Sequence, residues 1–227
     1  MLVTGQTGFT DAWLSPWLRL LGAQVTVPSL PPSTKPSQYA LAGLAGLADD
    51  TDSRIGSIVD RSVVDEVVAA ARPTVILHPA AQAPVSASHD DPADTFATNV
   101  AATANRLNAG RSAPDLRAIV SVTSDKCCEN REWDWGHRES DPMGGHDPYS
   151  ESKGCAELVT AAMRRSFFEQ GGTVGVATAR ARNVIVGGAR PTATPGRSLG
   201  SSSPWPTGGA GTPPGASSGT VRTRPPC

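Results

Sequence analysis

The chain has 227 residues, and its 20 Lys and Arg against 21 Asp and Glu leave a formal charge of -1, which gives no electrostatic basis for a nucleic-acid or anionic-membrane partner. That length holds one full α/β domain, or one with a remnant of a second, and excludes two complete ones. There is no run of about 18 apolar residues to span a bilayer. The opening Met1-Leu2-Val3-Thr4-Gly5 has neither a basic stretch nor a signal-peptide core, so the expected compartment is the cytoplasm. Cys127, Cys128, Cys155 and Cys227 have neither zinc nor disulfide-framework spacing, and are expected as reduced thiols with no metal site.

Over residues 1–186 short β-branched runs alternate with helical patterns, which predicts βαβ units and a doubly wound parallel sheet of the Rossmann type. A short strand over Leu2 to Thr4 runs into Gly5-Gln6-Thr7-Gly8-Phe9-Thr10-Asp11 and a helix over Asp11 to Leu21. A glycine-rich strand-to-helix turn offers backbone N–H groups and a helix N-terminus to a pyrophosphate, so this turn is a dinucleotide candidate. Asp11 stands where a third glycine would, either capping the helix or crowding the strand and repelling phosphate. Trp13 and Trp17, four apart, are expected in the core or at an interface.

A strand follows at Gln24 to Val27, then a proline-rich loop from Pro28 to Asp52 with one helical turn at Tyr39 to Leu47. Further strands are expected at Arg54 to Gly56, Thr74 to Leu77, Ala118 to Thr123 and Thr173 to Thr178, with helices at Arg61 to Ala71, Pro92 to Asn108 and Tyr149 to Glu169. The fifth strand runs out into Ser124-Asp125-Lys126-Cys127-Cys128, at the carboxyl end where parallel sheets bind ligands. Tyr149 and Lys153, four apart, share one helix face, where an ammonium favours a phenolate base. His78 is expected as a packed strand-end residue, and His89, His137 and His146 in loops. Each motif alone has an ordinary reading: a tight turn, a surface turn, a solvated helix face. Their order, with His78-Pro79-Ala80-Ala81-Gln82 after the fourth strand and Asn99 in the next helix, is what joins them into one site.

From Gly187 to Cys227 the composition changes: 29 of 41 residues are Gly, Pro, Ser or Thr, and Leu199, Trp205 and Val221 are the large apolar ones. Such a segment buries too little to offset chain entropy and is expected to be disordered. A GC-rich gene read out of frame yields these residue types, so a frameshift close to Gly188 is expected, leaving the body without a substrate lobe and without turnover. Reading the other two frames of the coding DNA tests this.

Taken together, Val122 to Cys127, Glu129-Asn130-Arg131-Glu132-Trp133 and Gly144 through Leu158 resemble the extended short-chain dehydrogenase/reductase family, and within it the sugar-nucleotide 4,6-dehydratases that take CDP-glucose. The resemblance covers about Leu2 to Val186. It implies NAD held by Gly5, Thr7, Gly8, Phe9, Ile58, Ala80, Ala81, Gln82, Asn99, Tyr149 and Lys153. It also implies Tyr149 as base at the sugar 4-hydroxyl, Lys153 lowering its pKa, Ser124 sharing that hydrogen bond, Asp125 as acid at O6 and Lys126 near C5, where related enzymes carry glutamate. The chain departs from the family pattern at Asp11 (Gly), Ser57 (Asp, an adenine contact), Pro79 (Leu), Cys128 (Tyr) and Arg182 (Gly). Two other readings stay open: a non-catalytic nucleotide-binding remnant, and a sugar-nucleotide 4-epimerase, which needs no acid/base pair like Asp125 and Lys126. The sequence leaves a homodimer open as well.

Overall fold

The computed structural model describes residues 1–5, 7–8, 10–32, 35, 37–41, 43, 52–169 and 172–181. Arg182, Phe9 and the composition-shifted tail from 187 lie outside them. The sheet is built from β1 (Leu2–Val3), β2 (Thr26–Ser29), β3 (Asp52–Ile55), β4 (Val75–His78), β5 (Ala118–Ser124) and β6 (Gly175–Ala181), in the order β3-β2-β1-β4-β5-β6. Every pairing is parallel, so the order reverses between β1 and β4 and opens a crevice at their carboxyl ends. This is the expected doubly wound Rossmann-type arrangement.

Helix α1 (Asp11–Leu20) covers one face of the sheet, where Leu14 and Leu18 pack on Val3, Val25 and Val27. Helices α3 (Arg61–Ala71), α6 (Ala102–Gly110) and α7 (Pro148–Met163) bring Val64, Val67, Val68, Leu107 and Val159 onto Leu2, Ile76, Ile119 and Val176 of the other face. The inward stripe of α1 runs through Leu14 and Leu18, so Trp13 and Trp17 are 47% and 61% exposed and the core reading of these two is corrected. Between these elements lie α2 (Gln38–Leu41), α4 (Val85–Asp90) and α5 (Pro92–Phe96). The expected turn at Tyr39 to Leu47 is thus a shorter one beginning at Gln38, and residues 42 and 44–47 lie outside the described residues.

Local chemistry explains most boundaries. Asp60 accepts from the Ser62 and Val63 amides to start α3, and Arg72 leaves it at φ 42°, so the expected bounds hold. The second strand lies two residues later than the sequence predicts, because Pro28 is inside the ladder opposite Arg54. It offers no N–H to β1, and β1 and β2 share a single registered pair, Leu2 with Thr26. Register with β2 likewise draws β3 back to Asp52. The predicted continuous helix over Pro92 to Asn108 is interrupted by a π turn at Ala97–Ala101, and that over Tyr149 to Glu169 by another at Arg164–Phe168. His89, expected in a loop, lies in α4, which the sequence reading lacks.

Glu157 of α7 ties the sheet edge together. Its carboxylate is buried and accepts from Thr123 Oγ1 of β5, from Thr178 Oγ1 of β6 at 2.9 Å and from Arg180 Nε at 3.2 Å. Burial works against the Arg180 charge, but the hydrogen bonds and charge of Glu157 outweigh it and hold its pKa raised. Glu157→Ala would leave two hydroxyls and a half-buried guanidinium without this partner, and is expected to cost about 2 kcal/mol of unfolding free energy in urea titration.

Candidate functional site at the carboxyl edge of the sheet

Three segments converge on the crevice. The first is the glycine turn after β1. Gly5 adopts φ 84°, which favours glycine, and its carbonyl accepts from the Gly8 amide at 2.7 Å. Its own amide donates to Pro28 O at 3.1 Å, and Thr7 Oγ1 donates to Leu30 O at 2.8 Å, fixing the turn to the end of β2. A side chain at Gly5 would meet Ala80 Cβ at 2.9 Å, so the first glycine is required by close approach as well as by φ. The Thr10 side chain makes no capping bond, and the Ala12 and Trp13 amides are taken up by Gly8 O at 3.1 Å and Thr10 O at 3.2 Å. These residues fit a dinucleotide pyrophosphate, with one exception.

That exception is Asp11. It does not cap α1, since Thr10 holds the cap position, and its carboxyl is instead buried under the glycine turn. Burial raises its pKa well above the usual carboxylate range, with the Lys153 charge opposing. Of the two sequence readings of Asp11, crowding is what the structure shows.

The second segment is the end of β5. Ser124 is its last residue, and Asp125 and Lys126 open a single 3₁₀ turn whose Lys126 amide donates to Ser124 Oγ at 3.3 Å. Ser124 Oγ donates to Asp125 Oδ1 at 3.2 Å, and the Ser124 hydroxyl works to lower the pKa of the Tyr149 phenol. Lys126 is exposed, and its charge acts on Asp147. The third segment is the start of α7, signalled in sequence by Asp147-Pro148: Asp147 accepts from the Ser150 amide at 2.9 Å and Pro148 takes the first helical position.

Lys153 lies one turn beyond Tyr149 with Nζ 5.9 Å from the phenol ring centroid, and it donates to Val122 O at 3.5 Å. Burial pulls its pKa down to about 8, with Asp11 opposing. The expectation that Lys153 lowers the Tyr149 pKa is not met in the chain alone. Burial of the phenol comes first, the charges of Asp125 and Asp147 add to it, and the bond with Ser124 does not reverse the rise.

The end of β4 completes the crevice. Ala80 donates its amide to Thr4 Oγ1 at 3.3 Å and Ala81 follows half-buried. Gln82 is clamped by Asn99, which accepts from its amide at 2.8 Å and donates to its carbonyl at 3.1 Å. Asn99 sits on the π turn and also donates to Ser152 Oγ at 2.8 Å, whose hydroxyl donates to Tyr149 O at 2.7 Å. The π turn thus joins the β4 segment to the helix carrying Tyr149. Ser152 escapes sequence reasoning; its only signal is a serine inside the Tyr149 to Lys153 spacing. Ile58, in contrast, packs against the α3 core beside Val63 and Val64. His78 is packed as expected, between Thr4 Oγ1 at 2.8 Å and Thr103 Oγ1 at 3.3 Å, and burial with the Arg106 and Lys153 charges holds it neutral.

Comparison with known proteins agrees with this geometry. The family model described as GDP-mannose 4,6 dehydratase matches residues 2–171. The CDP-glucose 4,6-dehydratase of Salmonella typhimurium is 46% identical over 193 residues, which are 83% of this chain and 53% of that protein. The structure of dTDP-glucose 4,6-dehydratase from Streptomyces venezuelae with NAD and TYD bound superposes with a TM-score of 0.62 and 27% identity, covering 78% of this chain and 54% of that one. UDP-glucose 4-epimerase from Thermotoga maritima, at TM-score 0.67 and 20% identity over 79% of this chain and 54% of that one, shares the fold. The chain spans about half the length of the relatives it matches.

Proposed function

This chain belongs to the GDP-mannose 4,6 dehydratase family, and on that premise we propose that residues 1–186 are the NAD-binding domain of a sugar-nucleotide 4,6-dehydratase acting on CDP-glucose. The observation that carries the reading is the convergence of Ser124, Asp125, Tyr149 and Lys153 on the crevice that the glycine turn also faces. Among the described residues no helix is long and apolar enough to cross a membrane. The compartment proposed is the cytoplasm, with a nucleotide sugar as partner, no nucleic acid or membrane partner, and a homodimer left open.

NAD, held by Gly5, Thr7, Gly8, Phe9, Ile58, Ala80, Ala81, Gln82, Asn99, Tyr149 and Lys153, would supply the acceptor and donor of one hydride, so no external reductant is consumed. The residues of the chain handle the protons. Tyr149 takes the proton of the sugar 4-hydroxyl while Ser124 holds that oxygen by a hydrogen bond. A ketone at C4 acidifies the C5 hydrogen, Lys126 near C5 takes that proton while Asp125 protonates the departing 6-hydroxyl as water, and Lys126 returns the proton to C5 in the 4-keto-6-deoxy product. The pair Asp125 and Lys126 is what favours dehydration over epimerisation, since an epimerase needs no such acid/base pair.

The test is to titrate the full chain with NAD by calorimetry, then to supply CDP-glucose and follow loss of one water by mass spectrometry. CDP-4-keto-6-deoxy-glucose as product, formed about 100-fold more slowly by Asp125→Asn, assigns an active dehydratase and overturns the expected loss of turnover. Undiminished product in that variant overturns the role of Asp125, and CDP-galactose as product assigns a 4-epimerase. NAD binding with neither CDP-glucose binding nor turnover assigns a nucleotide-binding remnant.

A further inference from the structure

Asp11 is a carboxyl with no ordinary reason to be where it is. It is 4% exposed, stands in the first turn of α1, and makes no capping bond. Its Oδ2 lies 2.8 Å from where a Cβ on Gly5 would stand and 3.2 Å from the same point on Gly8, so the carboxyl fills the concavity enclosed by the two glycines and Ala80. Its Oδ1 is buried without a hydrogen-bond partner among the described residues. The helix N-terminus thus carries an internal acid group at the seat that the proposed function gives to the pyrophosphate.

Charged neighbours do not neutralise it. From α7 the facing charged group among the described residues is Lys153, which acts on Asp11 through its field and donates a hydrogen bond elsewhere, to Val122 O. The end of β4 presents Ala80, with neutral His78 behind it on Thr4, and β2 with the residue before it presents Val27 and Val25 to α1. A bound pyrophosphate would bring negative charge into the same low-dielectric pocket as an Asp11 carboxylate, and like charges so placed cannot both persist.

We propose that Asp11 makes dinucleotide binding proton-linked: the carboxyl must be protonated for the pyrophosphate to sit on the glycine turn, so each NAD bound takes up one proton whenever Asp11 starts ionised. This rests on the NAD reading above. Burial, which holds the carboxyl neutral to a higher pH than an ordinary aspartate, sets where the linkage begins. Below that point affinity is constant; above it the dissociation constant rises tenfold per pH unit. The family's glycine at this position would carry no such linkage.

The experiment is calorimetric titration of the full-length chain with NAD from pH 5.5 to 8.5, in two buffers of different ionisation enthalpy, for wild type, Asp11→Asn and Asp11→Gly. Lys153 contributes a slope of its own, near pH 8 in the wild type and at lower pH in the two variants, which lack the Asp11 charge that holds its pKa up. Expected are a wild-type dissociation constant that is constant until Asp11 ionises and then climbs tenfold per unit with uptake of one proton, and in both variants a profile that carries the Lys153 slope alone. Proton uptake by the wild type is read without any variant, so a variant that fails to fold does not decide the matter. NAD binding by the wild type with a flat profile and no proton uptake overturns the linkage and leaves the NAD reading standing. Absence of NAD binding in the wild type and in Asp11→Gly at every pH overturns the NAD reading, and the linkage with it.

Discussion

Where the chain turns CDP-glucose over, Tyr149→Phe is expected to lower the rate about 1,000-fold while leaving the far-ultraviolet spectrum and the melting temperature close to wild type. The substitution removes the hydroxyl that accepts the proton and leaves the ring at its place in the first turn of α7. The pH dependence follows from two opposed shifts. Burial raises the Tyr149 pKa and pulls that of Lys153 down to about 8, so the first proton to leave the pair on raising pH comes mainly from the ammonium. The form able to act as base is the phenolate beside a charged lysine, a minor tautomer of the pair that has lost one proton. Its population grows tenfold per unit up to about pH 8 and is then level until the phenol titrates. Wild-type kcat/KM is therefore expected to climb to about pH 8 and flatten. Lys153→Met removes the ammonium, and is expected to shift the break upward and lower the plateau. A wild-type profile that falls from neutrality toward pH 8 overturns this assignment.

The parts of this site that were legible in sequence are those fixed by local chemistry. The Gly5 and Gly8 spacing demands a turn at a strand-to-helix junction, Asp147-Pro148 starts a helix, and Tyr149 and Lys153 follow on one face of it. Alternation of strands and helices was enough for the sheet, since parallel strands need a crossover at each step. What escaped depends on neighbours far away in the chain. The π turn at Ala97–Ala101 places Asn99 against both Gln82 and Ser152, and no period of the sequence announces a widened turn. Position 28 defeats strand propensity because β1 is too short to need its amide. The pKa of Tyr149 runs opposite to the Tyr-Lys rule, because burial, a tertiary quantity, outweighs a helix neighbour. Trp13 and Trp17 show the converse: their spacing is helical, but the inward stripe belongs to Leu14 and Leu18.

Arg106→Leu is expected to stabilise the chain by about 3 kcal/mol and to raise its melting temperature by roughly 6–12 °C. Arg106 lies on the inward face of α6 with Thr103 and Leu107, where the helical period alone calls for an apolar residue. Its side chain is 1% exposed, and Nε and one terminal nitrogen have no hydrogen-bond partner among the described residues. It borders a cavity with room for about one water, lined by Leu2, Gly56, Ile58, Val64 and Val68, and no carboxylate is among the residues enclosing it. Burial alone draws the guanidinium pKa down to about 9. A folded pKa below the unfolded one means that the unfolded chain holds the proton more tightly, so the cost of Arg106 is in full force below about pH 9 and is relieved as pH rises through it. The stability advantage of Arg106→Leu is therefore expected to be constant from pH 6 to 8 and to shrink above about 9, as read from urea midpoints at each pH. Arg106→Lys, which keeps a charge on the same face, is expected to show no comparable gain. If Arg106→Leu unfolds at a lower urea concentration than wild type at pH 7, the guanidinium is not an uncompensated charge in the core.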